Sequence, residues 1–197
     1  MHKKYFDRIA ETLISEILPN GLSVNIVAKP QFSKSFAMFA TNYGGADRRF
    51  KLAGQWIDTP AGVAHYLEHK MFDMPYGNAL NELSSRGASP NAFTSSAMTA
   101  YHFESTSEFE ANLRTLLTFV STPYFTEESV RKEQGIIGQE IRMVEDSPSY
   151  VIYNNLLRCL YSSNPVRDSV AGTVESIAEI THETLYHCHK VFYNPSN

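Results

Sequence analysis

The chain has 197 residues, 43% hydrophobic and 19% charged, with a net charge of −4. That is the composition of one globular domain with enough chain to bury a core, not of a disordered or fibrous protein. The charge leaves no basic footprint for nucleic acid, and no run approaches the roughly 20 apolar residues of a membrane span.

Cys159 and Cys188 are the only cysteines and offer no disulfide framework. The charged start, Met-His-Lys-Lys-Tyr-Phe-Asp-Arg, is followed by no apolar leader, so a soluble, reducing, cytoplasmic setting is the expectation. Residues 12–18 carry Leu13, Ile14, Ile17 and Leu18, a spacing that a short helix would also suit. The turn signal Pro19-Asn20-Gly21 and the alternating residues 22–28 behind it favour a hairpin instead. A third strand is predicted over residues 36–42, ending at Gly44-Gly45. The period then changes, and helices are predicted over 61–72 and 78–85, the second closed by Gly87. Residues 91–104 return to strand, with Phe93, Tyr101 and Phe103 as its aromatics. Further helices are predicted over 107–120, 126–145, 149–161 and 181–192, with Pro123, Pro148 and Pro165 near the breaks. Strands first and helices later predict an α+β fold, a mixed, mostly antiparallel sheet with helices packed on one face. No repeat or linker divides the chain, so residues 1–197 are expected to form a single domain.

The chemistry is concentrated in His65-Tyr66-Leu67-Glu68-His69. On a helix, positions i and i+4 share a face, so both imidazoles can reach one ion. Glu68 lies on nearly the same face, within reach of a water at that ion. This reverses the His-Glu-x-x-His order of common zinc peptidases and is the inverzincin pattern. A zinc hydrolase needs three protein ligands and an open position, and a carboxylate is a normal third ligand. Glu133 and Glu140, seven residues apart on a predicted helix, stand two turns apart on one face. Gly135 and Gly138 are poor helix formers, and their presence there implies that this helix is closely packed.

These stretches together resemble the pitrilysin, insulin-degrading and mitochondrial processing peptidases. Residues 62–69 (Gly-Val-Ala-His-Tyr-Leu-Glu-His) look like the metal helix of that family. Residues 87–94 (Gly-Ala-Ser-Pro-Asn-Ala-Phe-Thr) resemble its substrate strand, Tyr101 its later aromatic, and Glu133 through Glu140 its distal acidic pair. The resemblance implies a processing-peptidase-like α/β roll with one zinc per chain, held by His65, His69 and Glu140. Glu68 becomes the general base, and Glu133 the acid that orients a ligand imidazole. The implied activity is zinc-dependent endopeptidase cleavage of unstructured or extended peptides, bound as an added strand along Asn91, Ala92, Phe93 and Thr94. Asn194-Pro195-Ser196-Asn197 resembles the segment that precedes a further strand. The family then continues into a homologous carboxy-terminal half that contributes an arginine and a tyrosine, so that half or a partner subunit is the expected partner, and the fragment alone is expected to be weakly active or inactive. Two features depart from the family: Glu140 lies closer to His69 in sequence than is usual, and Asp73-Met74-Pro75-Tyr76 replaces a Gly-Thr neighbourhood.

The alternative is a non-catalytic scaffold or partner subunit of the same fold, in which a ligand or the base should be lost; all four positions are intact here. His182, His187 and His189 have no acid to complete a site and are expected on an exposed helix face. His102 is expected to be structural, and Met71, Met74 and Met98 to fill the core. No phosphate loop and no nucleophilic Ser or Cys motif is present.

Overall fold

The amino-terminal segments form strands, and the structure, a computed structural model, describes all of residues 1–197. In chain order they are β1 (His2–Phe6), β2 (Glu11–Ile17), β3 (Ser23–Val27), β4 (Ser35–Thr41), β5 (Arg49–Leu52) and β6 (Gln55–Asp58). The middle holds α1 (Val63–Met71), β7 (Asp73–Met74), β8 (Gly77–Asn78), α2 (Ala79–Ser85), β9 (Ser89–Thr94) and β10 (Thr99–Ser105). The rest is helical: α3 (Phe109–Ser121), α4 (Glu127–Glu145), α5 (Pro148–Leu160), α6 (Val174–Ala178) and α7 (His182–Phe192).

The expected hairpin forms from β2 and β3, with Leu13 opposite Val27 and Ile17 opposite Ser23. β1 adds to its other side, giving the order β1-β2-β3. All five β1 residues are exposed, so no alternation marks this strand in the sequence. β4 joins a second sheet, β4-β10-β9, and every strand pair in the chain is antiparallel. The stretch predicted as one strand over 91–104 is in fact a hairpin. Its turn is closed by Ser95, whose amide donates to the Met98 carbonyl (2.8 Å) and whose hydroxyl accepts from the Met98 amide (3.1 Å). Ser-Ser-Ala-Met carries only serine, the weaker turn former, and lacks the Gly, Pro, Asn or Asp that announces a turn more strongly. The β5–β6 hairpin was also not predicted; Ala53 and Gly54 at its tip both have positive φ.

Helices cover one face of the β4-β10-β9 sheet. Tyr101 and Phe103 of β10 point into the core, while Phe36, Met38 and Phe93 on the opposite face are exposed. Under the helices, Phe72, Tyr101 and Phe119 pack with ring centroids 5.2–5.6 Å apart. The Tyr101 hydroxyl is bonded to that of Tyr193 at 2.6 Å, which leaves neither buried oxygen unpaired. The helix starts follow from their caps. Asn78 accepts from the Leu80 amide at 2.9 Å, Thr126 and Ser129 form a reciprocal cap at the start of α4, and Pro148 opens α5. No helix is long and apolar enough to cross a membrane.

α4 is packed as expected, against α1, α5 and α6 with Ile137, Gly138 and Ile141 buried, but its glycines are not what the packing requires. A methyl group built on Gly135 would meet nothing within 4 Å, and one on Gly138 only Arg142 Nη1 at 3.9 Å. Both glycines have ordinary helical backbones, so they simply weaken α4. Gly135→Ala is therefore expected to stabilise the chain by about 0.5–1 kcal/mol, because alanine loses less backbone entropy in a helix. Chemical denaturation checks this: an unchanged or lower midpoint would mean that the glycine is needed.

Candidate metal and catalytic site

α1 begins where the chain leaves β6 through Gly62, at φ 93°. A side chain there is excluded twice, since a Cβ would also lie 2.6 Å from the Ala171 carbonyl oxygen. This fixes the start of α1 and so places His65 in its first turn. The helix runs between β9, β10, α4 and α7. Its Tyr66 hydroxyl donates to the Val130 carbonyl, and Lys70 Nζ donates to the Ser129 carbonyl at 3.3 Å while also pairing with Asp73. Tyr66 and Lys70 are fully buried. They form a second i, i+4 pair beside His65 and His69, and they dock α4 against α1. Sequence reasoning passed over Lys70, since a lysine beside a histidine pair reads as a surface charge.

Docked in this way, α4 brings Glu140 to both imidazoles. His65 Nε2 is 3.6 Å from Glu140 Oε1, and His69 Nε2 is 3.5 Å from Glu140 Oε2. One donor atom from each of the three residues lies within 4.8 Å of the others, and no other group of metal-binding side chains in the chain is so arranged. These separations are long for hydrogen bonds. They match two ligands of one tetrahedral zinc, which at about 2.1 Å each would stand about 3.4 Å apart. Glu133 sits elsewhere: its carboxylate is 3.1 Å from His69 Nδ1, the nitrogen facing away from Glu140. The two acids predicted on one helix face thus take different places, one on each side of the His69 ring. His65 Nδ1 is buried and has no such partner.

The charges are mutually supporting. Burial works against protonation of His69, but its hydrogen bond to Glu133 and the charges of Glu68, Glu140 and Glu133 outweigh that and raise its pKa. Burial likewise opposes ionisation of Glu133, and the bond to His69 prevails and lowers its pKa. His65 holds the Glu140 carboxyl below its usual range against a smaller opposing effect of burial. Three carboxyl groups around two imidazoles make a half-buried site that favours a cation.

Glu68 is 7% exposed, and its Oε2 accepts a hydrogen bond from the Thr94 hydroxyl at 2.8 Å. Thr94 ends β9, the outer strand of its sheet. The Ala92 amide is bonded at 2.9 Å to the side chain of Asn91 rather than to β10, so it points to the open edge. Pro90, two residues earlier on the same side, has no N–H to lose there, a placement that edge strands tolerate. Asn91 and Phe93 are exposed on the sheet face, whereas Ala92 and Thr94 turn towards α1. The structure therefore brings all the sequence-predicted site residues to one region.

The remaining candidates stay outside it. His102 packs on Phe36 with ring centroids 5.3 Å apart. His187 is exposed as expected, but His182 and His189 are half-buried, His189 with Nε2 2.9 Å from the Val120 carbonyl and its ring stacked on Tyr193. Met71 and Met74 are in the core as expected, whereas Met98 is half-buried in the turn between β9 and β10 and lies outside the core.

Residues 53–174 match the profile of the insulinase peptidases, family M16. The chain belongs to this family. An uncharacterized zinc protease of Bacillus subtilis, YmfH, is 48% identical to it over 98% of this chain and 45% of its own length. The crystal structure of an M16-like peptidase from Alicyclobacillus acidocaldarius matches with a TM-score of 0.91 and 45% identity, over 95% of this chain and 44% of that one. A peptidase M16 inactive domain from Pseudomonas fluorescens shares the fold alone, with a TM-score of 0.76 and 18% identity over 90% of this chain and 42% of that one. This M16 chain thus spans about half the length of the relatives it matches, 45% and 44% of the first two.

Proposed function

We propose that the chain is the zinc-carrying catalytic part of an endopeptidase acting on extended or unstructured peptides. The observation that carries this reading is the facing of both Nε2 atoms on the two oxygens of Glu140, at 3.6 and 3.5 Å. His65, His69 and Glu140 would hold one zinc, a donor set normal for catalytic sites with an open position. Bound there, zinc supplies Lewis acidity, which polarises a carbonyl and lowers the pKa of water towards about 7.

Glu133 accepts the Nδ1 proton of His69 and so directs Nε2 towards the site. Glu68 takes the proton of the attacking water and passes it to the leaving amine. A peptide pairs with the open edge of β9, displacing Asn91 from the Ala92 amide and laying its scissile bond past Glu68. Because the relatives are about twice as long, we assign the rest of the site to a homologous second half or a partner subunit, which covers it and supplies an arginine and a tyrosine.

The test is cleavage by the zinc-loaded whole protein. A flexible peptide or an unfolded protein should be cut, and the same protein in its folded form spared. The 197-residue chain alone should be slower by about 10²–10³, the worth of a missing oxyanion donor. Equal rates on folded and unfolded forms would sink strand addition. Zinc binding without any cleavage would favour a scaffold role, which the inactive domain of the same fold makes a real alternative.

A further inference from the structure

Glu68 has no cation bonded to its carboxylate; what fixes it is a single hydroxyl. Thr94 Oγ1 lies 2.8 Å from Glu68 Oε2. The direction of that bond follows from the residue behind it. The buried Thr99 hydroxyl donates its only proton to the Tyr43 carbonyl at 2.8 Å, and it lies a longer 3.5 Å from Thr94 Oγ1. Thr94 therefore keeps its own proton for Glu68, which as a carboxylate can only accept. The terminal torsion of a glutamate side chain is broad, with no sharp preference of its own. Without the hydroxyl no hydrogen bond would set that torsion. With it, Oε2 is tied to the sheet and Oε1 is left for the proton transfer.

We propose that Thr94 is a positioning residue for the base: it selects which oxygen of Glu68 works and ties that oxygen to β9. This rests on the endopeptidase reading above and gives Thr94 a second task within the predicted substrate strand. Its backbone belongs to the edge that takes the peptide, while its side chain holds the base. One residue thus keeps the bound peptide and the proton acceptor in fixed register. Misplacing a reacting group by about 1 Å can cost about 100-fold in rate, so the effect should fall on turnover and not on affinity.

The experiment uses the whole zinc-loaded protein carrying Thr94→Val, which keeps the β-branched shape and removes the hydroxyl, and Thr94→Ser, which keeps it. Thr94→Val should lower kcat about 10–100-fold with KM within about twofold and zinc content unchanged. Thr94→Ser should recover most of the rate. Added to Glu68→Gln, Thr94→Val should cause no further loss. A kcat within twofold of wild type, a change confined to KM, or an equal loss on the Glu68→Gln background would each overturn the proposal. Crystal structures of the metal-free variants give a readout independent of activity. The Glu68 carboxylate should rotate away in Thr94→Val and stay in Thr94→Ser; a carboxylate unmoved in Thr94→Val also overturns it. If the parent protein cleaves nothing, the endopeptidase reading fails while the carboxylate orientation still decides the role of Thr94.

Discussion

Replacing Glu68 with glutamine should lower peptide cleavage by the whole protein about 10²–10⁴-fold while leaving zinc bound, the usual range for loss of a general base. The substitution is close to a pure test of proton transfer. The glutamine carbonyl can still accept from Thr94, as Oε2 does now at 2.8 Å. Its amide nitrogen would then occupy the position of Oε1, where it cannot take a proton. Shape, burial and the hydrogen bond to the sheet are retained, and His65, His69 and Glu140 are untouched. Rates and zinc content measured on the same preparation check both halves of the expectation. A variant with most of its activity would remove Glu68 from the mechanism. A variant without zinc would make the glutamate part of the metal's support instead.

How far this site could be read from the sequence depends on where its geometry comes from. The His65–His69 pair and Glu68 are fixed by one helix, whose spacing is local. The separation of Glu133 from Glu140 was legible in the same way, but their different relations to His69 were not. Those depend on the depth at which α4 docks, set by Tyr66 and Lys70 bonding to backbone carbonyls 64 and 59 residues away. The bond from Thr94 to Glu68 joins residues 26 apart on different elements and leaves no periodic trace. The fold shows the same division. The β2–β3 hairpin and the long helices carried strong turn signals or periodicity. β1 and β5–β6 are short or exposed, and α6, though opened by a reciprocal Thr173–Ser176 cap, is only five residues long. The glycines of α4 pointed to a packed helix, and α4 is packed, but through Ile137 and Ile141 and not because a side chain at either glycine would clash.

The metal site gives the other large effect. Wild-type chain should carry about one zinc, and His65→Ala, His69→Ala or Glu140→Ala should reduce this to near zero after dialysis. Two remaining donors from a set of three cannot complete the coordination that a catalytic zinc requires. Glu133 provides the contrast. It faces His69 Nδ1 at 3.1 Å, whereas Glu140 faces both Nε2 atoms. Glu133→Gln should therefore retain zinc with an affinity weaker by about 10–100-fold, the usual effect of losing the partner that orients a ligand imidazole. Elemental analysis of the dialysed proteins, with competition against a chelator for the weaker binders, separates the two classes. Since α1 and α4 are held together by Tyr66 and Lys70 independently of the metal, the alanine variants should remain folded, which circular dichroism can confirm. Zinc retained at wild-type level in Glu140→Ala but lost in Glu133→Gln would exchange the two acids. Zinc retained in His65→Ala would break the assignment of the α1 pair altogether.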